Sequence, residues 1–471
     1  MHSGRLMLSL SLLCACFAIA LADSRPIMVI DLFRHGARSS YDSTWDISKL
    51  WGGIHGELTK AGMRQHYLLG KALAQDYSDL LGTYDPSRLS IYSTDVNRTI
   101  MSAYSHLFGM FSPGAAPLTE YQNKTALPPG LENFNLTEFI IDTYPLPNAI
   151  QPAPVHVVAR KRDYVLAADN GCTNFEQIKE DSLEHSAAFE EFKNIINATM
   201  KLIEQHAQQY NITIHDIWTY WGFGDTLICN YYENFPTPFN ITYGSKEWKD
   251  AVFITEWILT YLYSGPLKNL QLMSLNLFNK MFDQLDGKLN GTFNKTFAIH
   301  SAHESTLVPV LAVLGVVTPE CIRDNYLGKI DDPLCKYPAF AANVITELYN
   351  DTAEPYVKFK YNGIYLNICN NTNNTCTLTA YKNLVTQRLQ GYTLQNWLTD
   401  CGISVDPTPS PQPQPTPQPD NSGSNTLLII GVIALGIVTV VELGVLVMLL
   451  RRKHKNDSDY IQDNSVSVSW A

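Results

Sequence analysis

Three short apolar runs along this chain share one sequel. The first, from Pro26 to Phe33, is broken only by Asp31 and leads into Arg34-His35-Gly36-Ala37-Arg38. The second, Leu89-Ser90-Ile91-Tyr92, leads into Ser93-Thr94-Asp95-Val96-Asn97-Arg98. The third begins at Thr296-Phe297-Ala298-Ile299 and closes on His300-Ser301-Ala302-His303-Glu304. Short, mainly apolar runs of this kind read as strands with both faces covered. Each precedes apolar positions at helical spacing: Met63, Tyr67, Leu68, Ala72 and Leu73 within Lys60 to Leu81, a second stretch ending at Phe111, and a third from Ser305 to Val316. Strand, polar cluster and helix in that order predict an α/β core.

The segment from about Pro113 to Asn290 holds none of these clusters and shows helical patterns instead, as in Asp181 to Gln209 and Lys246 to Tyr263. It is expected to form a mainly α-helical lobe, about 113–290, inserted between core pieces at about 23–112 and 291–404. The two ends of the chain read differently. Arg5, the apolar run Leu6 to Leu21 and the small residues Ala20 and Ala22 predict a signal peptide over 1–22, removing Cys14 and Cys16 from the mature protein. Residues 405–425 are rich in Pro, Gln, Thr and Ser and read as an extended linker. Leu427 to Leu450 is almost wholly apolar. At 1.5 Å per residue it makes about 36 Å of helix, enough for one transmembrane helix over 426–450. Glu442 costs roughly 3 kcal/mol there, less than the surrounding Leu, Ile and Val return. Arg451, Arg452, Lys453 and Lys455 follow, which assigns 451–471 to the cytoplasm and makes this a single-pass type I membrane protein.

Strands of this kind place their ligands beyond their carboxyl ends. If the three runs are parallel neighbours, Arg34, His35, Arg38, Arg98, His303 and Glu304 meet in one crevice, with Gly36 letting the backbone approach closely. Three guanidiniums, two imidazoles and one carboxylate suit a phosphoryl dianion, because Arg forks match phosphate oxygens and each charged hydrogen bond nets roughly 1.5–3 kcal/mol. A formal charge of −11 excludes a nucleic-acid surface but not a local basic pocket. No HExxH motif or CxxC pair occurs, and His55, Glu57 and His66 lack ligand spacing, so no metal or other cofactor is implied.

Arg34-His35-Gly36-Ala37-Arg38 resembles the Arg-His-Gly-x-Arg signature of the histidine acid phosphatases, which include lysosomal and prostatic types. Ser93-Thr94-Asp95 with Arg98 resembles the next block of that family, and Ser301-Ala302-His303-Glu304 its distal His-Asp block. The likeness covers roughly residues 26–400. It implies a histidine-phosphatase-like α/β/α core over 23–404, its inserted lobe capping the pocket. It also implies acid phosphatase activity on small-molecule phosphate monoesters, with His35 as the nucleophile that becomes phosphohistidine. Arg34, Arg38, Arg98 and His303 would bind the phosphate, and Glu304 would protonate the leaving alcohol. An acidic pH optimum follows, since a carboxyl with pKa about 4.3 is largely ionised at neutrality.

Two positions depart from the family pattern. Ser39-Ser40 stands where a Pro is usual, and Glu304 stands where the close members carry Asp. Glu304 prompts the alternative of a phytase-like inositol-phosphate phosphatase, for which Arg160, Lys161 and Arg162 are the dense basic candidates. A catalytically silent ectodomain on the same fold is a further alternative, and a homodimer is compatible with all of these readings.

Ten sequons, at Asn123, Asn135, Asn197, Asn211, Asn240, Asn290, Asn294, Asn350, Asn370 and Asn373, predict a glycoprotein of the secretory or endolysosomal system or the cell surface. Asn97 also fits the pattern but adjoins Arg98, so it is expected to be unmodified. Seven cysteines remain after signal removal and should mostly pair. Cys369 and Cys376 flank a short Asn/Thr turn and predict a local bridge. The family resemblance implies Cys172 with Cys401. Cys229 then pairs with Cys321 or Cys335, leaving one odd thiol. His300 reads as a packed histidine or one behind the site, His156 as a structural or rim residue, and Asp95 as a turn residue or one holding Arg98.

Overall fold

The first apolar run forms β1 (Met28–Arg34), buried along its whole length. The second and third form β2 (Leu89–Thr94) and β4 (Phe297–Ala302). β4 lies between the other two and pairs with each in parallel, giving the order β2-β4-β1. Arg34 lies opposite Ala302, and Ser93 opposite Ser301. The three polar clusters therefore leave the sheet at one edge. An outer parallel strand, β3 (His156–Val158), joins β2. On the other side β5 (Asn343–Tyr349), β6 (Tyr356–Tyr361), β7 (Ile364–Leu366) and β8 (Cys376–Thr377) complete a mixed eight-stranded sheet through antiparallel pairings.

The computed structural model describes residues 24–403, apart from 127, 130–142 and 185. The expected signal peptide, linker, membrane span and tail, and the Asn135 sequon, lie outside the described residues. Among the described residues no helix is long and apolar enough to cross a membrane.

Alternation along β1 divides its side chains between two cores. Val29 and Phe33 meet Leu73, Leu107 and Ile299 on one face. That face is covered by α1 (Lys60–Asp76) and α2 (Asn97–Met110). Met28, Ile30 and Leu32 join the larger core on the other face. Its helices are α3 (Phe175–Glu184), α4 (Ala187–Gln209), α5 (Ile217–Tyr232), α6 (Lys246–Ser264), α7 (Leu267–Asn290) and α8 (Glu304–Val313). Further helices are α9 (Pro319–Tyr326), α10 (Leu378–Arg388) and α11 (Leu394–Asp400).

Several boundaries differ from the periodicity. The first helix stops at Asp76, where Tyr77 turns inward to donate to Glu347, and one more turn follows at Ser78–Leu81. The stretch ending at Gln209 is two helices, because the Ser186 side chain caps the second by accepting from the Phe189 N–H. The helix after the third strand begins at Glu304 and ends before Gly315, whose φ of 77° leaves the helical region. The segment expected to be a helical lobe also contributes β3 to the sheet.

Disulfides join Cys172 to Cys401, Cys321 to Cys335 and Cys369 to Cys376. The expectation that Cys229 pairs with Cys321 or Cys335 is therefore corrected: Cys229 is the buried free thiol. It sits on α5 against Ala37 and Phe340, while Cys321 and Cys335, 14 residues apart, close a loop on themselves.

Helices α1 and α2 touch through glycine. A methyl group on Gly70 would run into the His106 carbonyl, and one on Gly109 into the Tyr67 carbonyl. Close approach of α2 matters because that helix carries Arg98. Gly109→Ala should destabilise the protein by about 1–3 kcal/mol. Chemical denaturation of purified protein checks this, and an unchanged midpoint would show that the helices have room to part.

Candidate active site

His35 follows β1 directly, and its ring is wholly buried at 0% exposure. Its Nδ1 lies 2.9 Å from the Gly36 carbonyl oxygen. A carbonyl can only accept, so Nδ1 carries the proton and Nε2 keeps its lone pair. That Nε2 is buried without a hydrogen-bond partner. Burial first, then Arg98, Arg34, His303 and Arg38, holds the imidazole's pKa well below the usual histidine range. The ring is therefore neutral in mild acid.

The structure brings all six expected residues to this point, each by a different support. Arg34 donates to the Pro338 carbonyl at 2.6 Å and lies over the Phe340 ring, 4.4 Å from its centroid. Arg38 is clamped by Asp225 on α5, with nitrogen–oxygen distances of 2.7 and 3.0 Å. Burial works against the Arg38 charge, but Asp225 outweighs it and raises the guanidinium pKa. Arg98, in the first turn of α2, donates to the Gly56 carbonyl and approaches His303 Nδ1 at 3.4 Å. Burial and Arg38 lower its pKa to about 10, which leaves it charged. His303 Nε2 lies 2.9 Å from the Thr94 hydroxyl. Burial and Arg98 lower its pKa to about 3.

Glu304 opens α8 and reaches back over His35. One carboxylate oxygen lies 3.0 Å from Arg34 Nε and 3.7 Å from His35 Nε2. Burial alone would raise this carboxyl, but Arg34, Arg38 and His303 reverse that effect and hold it at about 2. The positive end of α8 acts in the same direction. His35, His303 and Glu304 bring one donor atom each within 4.8 Å, a spacing a small cation could use. The surrounding guanidiniums make the spot far better suited to an anion.

Other positions fall elsewhere. His300 is buried against Gln284, and His156 is exposed on β3 beside Tyr92. Asp95, expected as a turn residue or one holding Arg98, is exposed in the bend between β2 and α2, and Gly56 and His303 hold Arg98. Asp225 was not anticipated from the sequence. Its signal was present: a lone acid within Gly222-Phe223-Gly224-Asp225-Thr226-Leu227-Ile228-Cys229 marks a buried, paired carboxylate. Pro338 and Phe340 carried no such signal.

Arg38, Arg98, His303 and Glu304 line a cavity of about 490 Å³, together with Tyr41, Arg160, Asp169, Glu176, Lys179, Trp218, Trp221, Leu259 and Tyr263.

The family model of the histidine phosphatase superfamily (branch 2) matches residues 27–362. Lysosomal acid phosphatase of Bos taurus is 28% identical over 299 residues, covering 61% of this chain and 63% of that protein. The chain thus spans less than two thirds of that relative's length. Prostatic acid phosphatase of Mus musculus is 26% identical over 389 residues, covering 79% of this chain and 87% of that protein. Among solved structures, the apo form of Hafnia alvei phytase superposes with a TM-score of 0.54 at 13% identity, covering 78% of this chain and 97% of that one. At that identity the likeness concerns the fold.

Two outcomes follow from the geometry. Asp225→Ala leaves Arg38 buried without its partner and should cost about 3–5 kcal/mol in denaturant titrations; Asp225→Glu should lose less. Asn97 donates to Glu57 beside Arg98, and glycopeptide mapping should find it bare. A glycan there would contradict the role of Arg98 in the pocket wall.

Proposed function

This chain belongs to the histidine phosphatase superfamily, branch 2, and on that premise we propose that it is an acid phosphatase that hydrolyses phosphate monoesters through a phosphohistidine at His35. One observation carries the reading: a neutral imidazole with a bare Nε2 lone pair, buried among three guanidiniums. Arg34, Arg38, Arg98 and His303 bind the phosphate oxygens and stabilise the charge that spreads over them in the transition state. His35 Nε2 attacks phosphorus, and the bond from phosphorus to the leaving oxygen breaks. The Glu304 proton passes to that oxygen. Water then gives a proton back to the Glu304 carboxylate and attacks the phosphohistidine; the P–N bond breaks, releasing inorganic phosphate and restoring the imidazole.

Glu304 must gain a proton before it can give one. With the guanidiniums unopposed its carboxyl is ionised at any working pH, since its pKa is about 2. A substrate dianion competes for Arg34 and offsets the positive charge, so the carboxyl's pKa rises as the ester binds. The protonated fraction of the complex falls as pH rises, and turnover falls with it.

We infer further that the catalytic unit works in the endolysosomal lumen or at the cell surface, held by the apolar segment 426–450. Its disulfides need an oxidising compartment. Asn123, Asn197, Asn211, Asn240, Asn290, Asn294, Asn350, Asn370 and Asn373 are all exposed, as glycan-bearing positions must be.

A pH–rate profile on aryl and alkyl phosphates tests the mechanism. His35→Ala should abolish turnover. Glu304→Gln should slow alkyl esters by about 10²–10⁴-fold and aryl esters much less, because good leaving groups need little protonation. Retained turnover in His35→Ala would require another nucleophile, and a wild-type optimum above about pH 7.5 would remove Glu304 as the acid.

A further inference from the structure

The outer half of the catalytic cavity takes no part in the steps above. Its walls hold Arg160, Asp169, Glu176, Lys179, Trp218 and Tyr263. These charges do not count equally. Lys179 Nζ lies 2.6 Å from a Glu176 oxygen, so that pair largely cancels. Arg160 is exposed, where water and salt weaken its pull on Asp169. Asp169 is half-buried and stands near both Glu304 and the Tyr263 hydroxyl, close enough to influence each. Asp169 is therefore the least screened of these charges.

The position of Asp169 is built rather than incidental. It lies in a single helical turn, Ala168–Gly171. Just before that turn, the Asp163 carboxylate accepts from the Val165 and Leu166 N–H groups at 3.2 and 2.8 Å. The Leu166 carbonyl accepts from the Thr306 hydroxyl at 2.7 Å, two residues beyond Glu304 on α8. Just after the turn, Cys172 is bonded to Cys401. Asp169 and Glu304 thus keep a fixed relation across the cavity.

Resting on the phosphatase reading, we propose that Asp169 is a specificity residue that faces the leaving group, favouring alcohols that carry a hydroxyl or ammonium donor and excluding those with a second anionic group. The substrates selected are esters with one phosphate, and polyphosphates are disfavoured. The wall also predicts a pH signature. Burial raises the Asp169 carboxyl above the usual range, against hydrogen bonds from Asn170 and the charge of Arg160, with Glu304 adding to the rise. A raised carboxyl is partly protonated in mild acid and ionises as pH increases. Exclusion of anions therefore strengthens with pH. Glu176 and Lys179 stay paired, and Tyr263 stays neutral because burial, Asp169 and Glu304 all raise its pKa.

The test compares kcat/KM for phenyl phosphate and its 4-sulfonate in the full-length protein, wild type, Asp169→Asn and Asp169→Glu. The sulfonate is ionised throughout, and comparing variants cancels its intrinsic reactivity. Asp169→Asn should raise the sulfonate's relative kcat/KM by about tenfold. Asp169→Glu should keep the wild-type ratio to within about twofold, which a merely structural role would not require. Discrimination in the wild type should deepen from about pH 5 to about pH 7 and stay flat in Asp169→Asn. An unchanged ratio in Asp169→Asn, with phenyl phosphate still turned over, overturns the role of Asp169. No turnover of phenyl phosphate by the wild type overturns the phosphatase reading beneath it. Should Asp169→Asn fail to fold, Asp169→Ser also removes the charge, and an unchanged ratio there overturns the role of Asp169 in the same way.

Discussion

Guanidiniums cannot gather in a buried pocket without negative charge to answer them. The cost of taking even one ion out of water is several kcal/mol unless a partner is supplied. Here the partners are two carboxylates with different duties. Asp225 is tied to Arg38 by a two-point clamp and comes from the lobe. Glu304 shares its oxygen between Arg34 and the edge of His35, and it comes from the core. The first arrangement is permanent in geometry, while the second is single-pointed and sits where an incoming anion would compete. The same electrostatics that hold Glu304 ionised make its protonation depend on the arrival of phosphate.

His35, the proposed nucleophile, receives the opposite treatment. An imidazole can attack only if it stays neutral, and both burial and the guanidiniums disfavour its charged form. Its proton is parked on Nδ1 by the Gly36 carbonyl. The tautomer is therefore set by the backbone of the next residue, independently of the phosphate-binding side chains. This separation lets the pocket tune charge at the arginines without altering which nitrogen attacks.

Segments distant in sequence are joined through the site as well as around it. The Asp225 clamp, the Arg34 contact with Pro338 and Phe340, and the tether from Leu166 to Thr306 all cross between segments distant in sequence. The Cys172–Cys401 disulfide fixes the turn that carries Asp169 to the end of the domain. The outer cavity is thus walled mainly by residues 160–263, whereas Arg34, His35, His303 and Glu304 stand at the carboxyl ends of β1 and β4.

Much of this was legible in the chain itself. Apolar runs followed by polar clusters and helical spacing identified β1, β2 and β4, and local composition placed Arg34, His35, Arg38, Arg98, His303 and Glu304 just beyond them, because strand period and chain direction are local properties. Helix ends were less legible, since Tyr77 and Ser186 end or restart helices through a distant Glu347 and a local cap. What only the tertiary structure decided was the partnering. Cys321 found Cys335 and left Cys229 alone, Asp225 rather than a nearby residue took Arg38, and Asp169 and Glu304, more than a hundred residues apart, came to line one cavity. The reason is physical: a residue's type fixes which interactions it needs, but which group answers it depends on distances that exist only once the chain has folded.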